Sequence, residues 1–274
     1  MLLRFQVITT IVLILLVVGG CSTTFSPETP RSGPRVILKT TAADAQKAPE
    51  PDAKVPDYLA LARDLVAQGN PQYYDSAWVF LDKAAAGDGP QPEVDYLRGI
   101  IRREKGDVEG ARDYFAAAVA ASPAYADAYQ ALGKSYGVEG ELDKALAHYR
   151  KALAIEPNRV EFNNDMGYLL MSAGDTHSAE PYLRKSIAAP TPPDFAVNNL
   201  ALCLGLNGSP EEAFEVLRQH QPPAMAHNNM GVIYRSKGDI DKALAMFREA
   251  LRLDPELTVA AVNLEEMLRL ENRN

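Results

Sequence analysis

The chain has 274 residues, a formal net charge of −8 and a pI near 5.1, a balance that argues against a nucleic-acid partner because such a role calls for a basic stripe. An acidic surface suits neutral or basic protein partners and stays off anionic lipid except through an anchor.

Met1 to Arg4 supply a short basic start, and Phe5 to Val18 form an apolar stretch broken only by Gln6, Thr9 and Thr10. This is a signal-peptide pattern, shorter than the roughly 20 residues a membrane-crossing helix needs, so a permanent transmembrane helix is the weaker alternative. Gly19 and Gly20 end it on small residues, and the run LVVGGC from Leu16 to Cys21 resembles the lipobox of bacterial lipoproteins. The resemblance implies cleavage after residue 20 and lipidation of Cys21, whose sulfur nucleophile accepts the diacylglyceryl group. An ordinary secretory signal with a coincidental cysteine is the other reading. Several acyl chains on one residue meet the two-signal requirement for stable anchoring. By the sorting rule of such lipoproteins, Ser22 and Thr23 after the cysteine imply the outer membrane, facing the periplasm. Once Cys21 is acylated only Cys203 remains, and a single thiol makes no intramolecular disulfide. Cys203 lies in the apolar run LALCLGL and is expected to be a small buried side chain.

Residues 21–56 hold six prolines, from Pro27 to Pro56, among Ser, Thr and Ala, with only Val36, Ile37 and Leu38 as an apolar cluster. Such a segment cannot build a core and is expected to be a linker whose average reach is roughly 30–40 Å, more if the prolines stiffen it. Arg35 to Thr40 is a candidate strand for addition to a partner.

From Asp57 onward the chain reads as helices punctuated by Gly, Asn and Pro at regular intervals. With Ala126 as position 1 of a 34-residue unit, Tyr129, Leu132, Gly133, Tyr136, Ala145, Tyr149, Ala152 and Pro157 fall at positions 4, 7, 8, 11, 20, 24, 27 and 32. Leu132 and Tyr136 share a helix face, Gly133 and Ala145 are small where two helices cross, and Pro157 ends the second helix. This set is similar to the tetratricopeptide repeat. One period earlier, the unit 92–125 keeps Gly99, Gly106, Ala111, Phe115, Ala118 and Pro123 but places Arg98 and Arg102 where apolar and aromatic residues are usual. The unit 160–193 keeps Gly167, Gly174 and Ala179, while Pro181 and the group Pro190, Pro192, Pro193 predict a bend or a loosening. The unit 194–223 is four residues short, which a shortened second helix would explain, and 224–257 is regular again. A degenerate pair is expected over 57–91 and an amphipathic cap over 258–270. The fold class is therefore all-α, a right-handed α-solenoid of tetratricopeptide helix-turn-helix repeats over 57–274 with a C-terminal capping helix.

In that family the first helices line a concave groove, faced by positions 2, 5, 6 and 9 of each unit. The residues there are Glu93 and Tyr96; Asp127, Gln130 and Lys134; Glu161, Asn164 and Tyr168; Phe195, Asn198, Asn199 and Leu202; Met225, Asn228, Asn229 and Val232. Asn263 takes position 6 of the cap. The groove thus runs from charged to apolar. Asparagine amides both donate and accept, and their run resembles the ladders with which some tetratricopeptide proteins hold an extended peptide. The alternative is that they only bridge neighbouring helices. On the ladder reading, Asn199→Ala with Asn229→Ala weakens partner binding and leaves helicity intact, and Phe195, Leu202, Met225 and Val232 anchor an extended peptide or helix.

The four histidines are scattered over different repeats and read as surface or turn residues, and HExxH, CxxC, phosphate-loop and nucleophile-elbow patterns are missing, so neither an enzyme nor a cofactor or metal site is expected. The lipobox, proline-rich spacer and repeats carrying NNLA at Asn198–Ala201 and NNMG at Asn228–Gly231 together resemble TadD-type lipoproteins of tight-adherence (Flp) pilus systems. Pilotin lipoproteins of type IV pili and NlpI-like adaptors share the architecture. The resemblance implies an anchored scaffold for pilus or secretion-system assembly, the alternative being an adaptor that brings an envelope protease or murein hydrolase to its substrate.

Overall fold

The computed structural model describes residues 56–87 and 89–271; Cys21, the apolar leader and the proline-rich segment fall outside them. Every regular element among the described residues is helical. The helices form two compact units, 56–123 and 124–271, where the sequence alone reads as one continuous solenoid.

The first unit contains α1 (Tyr58–Ala67), a 3₁₀ turn (Pro71–Tyr73), α2 (Tyr74–Ala84), α3 (Pro92–Glu104) and α4 (Val108–Ala121). Asp57 starts α1 by accepting from the Ala60 N–H at 3.0 Å, and Asn70 caps the 3₁₀ turn in the same way. Ala62, Tyr74, Ala77, Leu81, Val94, Leu97 and Ile101 form its core. Arg98 and Arg102, the departures from the repeat pattern, have a local cause. Their guanidinium carbons lie 5.6 and 5.3 Å from the ring centre of Trp78 on α2, and Arg98 pairs with Asp82 at 2.6 Å. The indole face takes a cation where a leucine and a tyrosine would otherwise pack.

The second unit contains α5 (Ala126–Val138), α6 (Leu142–Ile155), α7 (Val160–Ser172), α8 (Thr176–Ser186), α9 (Asp194–Leu206), α10 (Pro210–His220), α11 (Pro223–Ser236), α12 (Ile240–Leu253) and α13 (Thr258–Glu271). Each odd-numbered helix from α5 to α11 pairs with its successor, and α13 packs on the last pair. The turns inside the pairs follow from two residues. Gly174 adopts φ +86, which frees Asp175 to return its N–H to the Leu170 carbonyl at 2.9 Å and close α7. Asp175 then caps α8 by accepting from the Ser178 N–H at 3.0 Å, and Gly238 with Asp239 repeats the device between α11 and α12.

Contact within a pair depends on a glycine at position 8 against a large side chain at position 24. A Cβ on Gly133 would stand 2.9 Å from the Tyr149 ring, and one on Gly231 would stand 2.6 Å from the Phe247 ring. The unit 194–223 solves the same crossing with Ala201 and Leu217, both fully buried. Pro181 does not break α8, but α8 spans 11 residues against 14 in α6, and Pro190 to Pro193 lie in the connection that follows. The shortened unit loses its residues from α10, which has 11 residues and hands over to α11 after Gln221 and Pro222.

Cys203 is buried as expected, and His148 lies deeper than a surface residue. Cys203 is fully buried with its thiol directed at the Thr176 carbonyl 3.2 Å away, and burial, reinforced by Glu180, pushes its pKa up to about 12, so it remains a thiol at neutral pH. His148 on α6 is sandwiched between Tyr136 and Tyr129 of α5, with ring centres 5.3 and 6.2 Å away. Lys144 and Lys151 cover the two tyrosine rings at 5.4 and 5.2 Å. Its Nδ1 is buried with no hydrogen-bond partner. Burial and then Lys151 hold the His148 pKa below its ordinary value. The native state therefore resists protonation at a site the unfolded chain protonates freely. Stability associated with His148 is complete above about pH 6.5 and is lost as the pH falls through that value. Between pH 7.5 and 5.5 the melting temperature of the native chain is expected to drop further than that of His148→Phe, which keeps the stack and removes the titration. Parallel melts with equal drops would reject the role.

Candidate functional site

The inner face of the 124–271 unit is built from the first helices α5, α7, α9, α11 and α13. Position 5 of one helix meets position 6 of the next, and a chain of side-chain hydrogen bonds runs along this seam. Asn199 donates to Asn164, Asn229 to Asn198 and Asn263 to Asn228, each through Nδ2 to Oδ1 at 2.9 Å. At the near end Gln130 donates to Asp165 at 2.5 Å, and Lys134 pairs with the same carboxylate at 3.1 Å. Burial pushes the Asp165 pKa up against the opposing pull of Lys134 and Gln130.

Gln221, in the short connection ahead of α11, ties the middle of the seam. It donates to Asn198 at 2.9 Å and accepts from Asn229 at 2.8 Å, while Asn228 donates to Asn229 at 3.0 Å. Both amide ends of Asn228 and of Asn229 are thus engaged, and the two residues are 2 % and 8 % exposed. Asn164 and Asn263 are also buried, while Asn198 and Asn199 are half-buried. Of the two sequence readings of these amides, bridging describes Asn228 and Asn229, whose hydrogen-bonding groups are engaged with one another, with Gln221 and with the neighbouring helices. Consequently Asn229→Ala is a probe of folding before it is a probe of binding.

Leu202 and Val232 need a second correction. Each is 3 % exposed and belongs to a core cluster, because position 9 falls at the junction between adjacent first helices. Tyr168, at the same position on α7, is half-buried against the first of these clusters.

What remains open is the row at position 2. It begins with Asp127 and Glu161, continues through Phe195, which is 44 % exposed, and half-buried Met225, and ends at Val259, 43 % exposed. Val262, one helical turn beyond Val259, is 57 % exposed. Arg159 sits at the acidic end, 2.8 Å from Asp127, 3.2 Å from Glu156 and 3.4 Å from Glu161, with its guanidinium 4.6 Å above the Phe162 ring. Burial opposes its charge, yet these three carboxylates hold its pKa above the ordinary value. One cation among three carboxylates leaves this end negative.

Sequence reading placed Phe195 and Met225 on this face but missed Asp165, Gln221, Val259 and Val262. The register that puts Asn263 at position 6 of the cap also puts Val259 and Val262 at positions 2 and 5 and would have found them. Asp165 is at position 6 of its own unit. Gln221 lies in a connection, outside any periodic signal.

Residues 126–159 and 224–257 match a family model described as tetratricopeptide repeat, and residues 164–225 match a second model of the same description. Among solved structures, PilF of Pseudomonas aeruginosa superposes with a TM-score of 0.58 at 16% identity, covering 77% of this chain and 95% of that one. PilW, a type IV pilus biogenesis factor, gives 0.52 at 20% identity, covering 67% and 93%. YrrB, a tetratricopeptide protein with an unusual peptide-binding site, gives 0.52 at 23% identity, covering 66% and 95%. At these identities the likeness is one of fold. Residues 126–159 and 164–257 therefore carry tetratricopeptide repeats, set on consecutive helix pairs with a glycine or alanine at each crossing, and the chain has the fold of tetratricopeptide solenoids.

Proposed function

We propose that the protein is a scaffold of the bacterial envelope, lipid-anchored through Cys21 and binding a component of a pilus or secretion assembly on the inner face of its repeats. The observation that carries the binding site is the row of exposed Phe195, Val259 and Val262 with half-buried Met225 between them, held in register by the amide seam beside it. Apolar side chains aligned on consecutive helices of a repeat array are a surface for partners. The lipobox-like LVVGGC supports the anchor, and fold likeness to PilF and to the pilus biogenesis factor PilW supports the pathway.

The test is affinity capture from detergent-solubilised envelopes with the full chain and with Phe195→Asp. Residue 195 lies in the first turn of α9, where a carboxylate suits the helix N-terminus, so the variant is expected to fold. A pilus secretin or assembly protein retained by the native chain, and reduced about tenfold or more by the substitution, is the expected result. A protease or murein hydrolase lost in the same way would establish the adaptor reading instead. Equal retention of every partner would reject the face. In the same strains Cys21→Ser should move the protein from the membrane pellet to the soluble fraction, and its persistence in the pellet would reject the lipid anchor.

A further inference from the structure

The 56–123 unit holds a cavity at the place where its first full repeat departs from the pattern. At positions 7 and 11 the later repeats carry Leu132 and Tyr136, Met166 and Leu170, Leu200 and Leu204, and Met230 and Tyr234. α3 carries Arg98 and Arg102 instead, set against Trp78, the single tryptophan of the chain, whose ring stands edge-on to Tyr114 of α4 with centres 5.8 Å apart. A leucine and a tyrosine there would bury more apolar surface, so the fold does not demand the two arginines, and departures of this kind concentrate at functional sites.

Beside them lies a cavity of about 290 Å³, lined by Asp75, Trp78, Ile101, Arg102, Lys105 and Asp107. Asp75 and Trp78 belong to a second helix, and the other four residues take positions 10, 11, 14 and 16 of their repeat, so the cavity shares no residue type position with the groove-facing 2, 5, 6 and 9. Its volume is at the lower end of small-molecule sites and suits a single ring.

The lining sets the chemistry of the occupant. Ile101 is fully buried and Trp78 half-buried, which gives the cavity an apolar floor. Its rim holds two ion pairs, Arg102 with Asp107 at 3.0 Å and Lys105 with Asp75 at 2.6 Å. The side chain of Asp75 is 91% exposed, so its pair adds little to stability and yields readily to another partner. Two cations and two carboxylates leave this rim without net charge. An anion would face Asp75 and Asp107, and a cation would face Arg102 and Lys105. A neutral hydroxylated ring meets neither repulsion, because its hydroxyls donate to the carboxylates and accept from the guanidinium and ammonium while its C–H face packs on apolar carbon.

We propose that this cavity is a saccharide-binding site, which takes one neutral sugar ring against Trp78 and Ile101 with its hydroxyls between the Arg102–Asp107 and Lys105–Asp75 pairs. The site is independent of the inner face.

Trp78 supplies the readout, since all tryptophan emission of the chain comes from it. The full chain is titrated with glucose, galactose, mannose, N-acetylglucosamine and inorganic phosphate up to about 10 mM, enough to fill a site with a dissociation constant near 1 mM. At least one sugar is expected to shift the emission saturably. Its affinity should fall about tenfold in Arg102→Leu and several-fold in Asp75→Asn, and stay unchanged in Phe195→Asp. Leucine holds position 11 in two other repeats and Asp75 is exposed, so both cavity variants are expected to fold, which circular dichroism checks. Flat titrations with every sugar would overturn the proposal, as would a sugar response that both cavity variants leave intact. Saturation by phosphate alone, lost in Arg102→Leu, would overturn the saccharide class and make the cavity an anion site.

Discussion

Asn229→Ala is expected to destabilise the 124–271 unit by about 2–3 kcal/mol, a loss on the scale of a core truncation from a residue for which sequence alone leaves peptide binding and helix bridging both open. The reason lies in what the substitution leaves behind. Asn229 donates to Asn198 and Gln221 and accepts from Asn228. Removing its amide strands the Gln221 carbonyl oxygen and the Asn228 amide nitrogen in a seam only a few per cent exposed, and a buried polar group without a partner costs about 1–3 kcal/mol. Asn199→Ala is the control. Asn199 is half-buried and makes one bond along the seam, to Asn164, so its loss strands a single buried acceptor, the Asn164 carbonyl oxygen, and should cost about 1 kcal/mol, less than Asn229→Ala, which strands two groups. Urea unfolding followed by circular dichroism distinguishes the two. A repeat array can unfold in steps, so the midpoint of the last transition is the quantity to compare. If Asn229→Ala melts within about 0.5 kcal/mol of the native chain, the seam contributes no structure and the peptide-clamp reading returns.

Gly231→Ala is the second substitution with a large expected effect, and its sign runs against helix propensity. In the middle of a helix, alanine normally gains up to about 1 kcal/mol over glycine. Here the added methyl would stand 2.6 Å from the ring of Phe247, which is fully buried among Val232, Ala243, Leu244 and Met267. Overpacking of this kind costs about 1–3 kcal/mol, which leaves a net loss of up to about 2 kcal/mol. The chain itself supplies the remedy, because the pair Ala201 and Leu217 occupies the equivalent crossing in the neighbouring unit. Combined with Phe247→Leu, Gly231→Ala should cost less than the sum of the two single substitutions by about 1 kcal/mol. Strict additivity in thermal unfolding would show that the two positions do not share the space the structure gives them.

The fold was legible because the repeat signal is redundant: small residues at positions 8 and 20, large ones at 7, 11 and 24, and glycine at the turn recur at a fixed interval and agree with one another. The site was legible in part. Helical spacing correctly groups Phe195, Met225 and the asparagines on the first-helix faces, but it gives direction without depth. Asn228, Asn229, Leu202 and Val232 all lie at the level where one helix touches the next, and their burial depends on how closely successive helices approach. His148 was hidden for a related reason. Its setting is made by two tyrosines of the preceding helix and two lysines of its own, an arrangement that no local spacing encodes.

The step between seam partners is 35 residues from Asn164 to Asn199 and from Asn228 to Asn263, but 31 from Asn198 to Asn229, and all three bonds measure 2.9 Å. The missing residues come from α10 and the connection after it, whose Gln221 still reaches the seam to bond Asn198 and Asn229. The inner face therefore keeps time by rungs and is indifferent to how much chain passes between them. Insertions and deletions in the second helices can accumulate without moving the partner's footprint, which leaves the outer surface of the repeats free to change while the inner one is held.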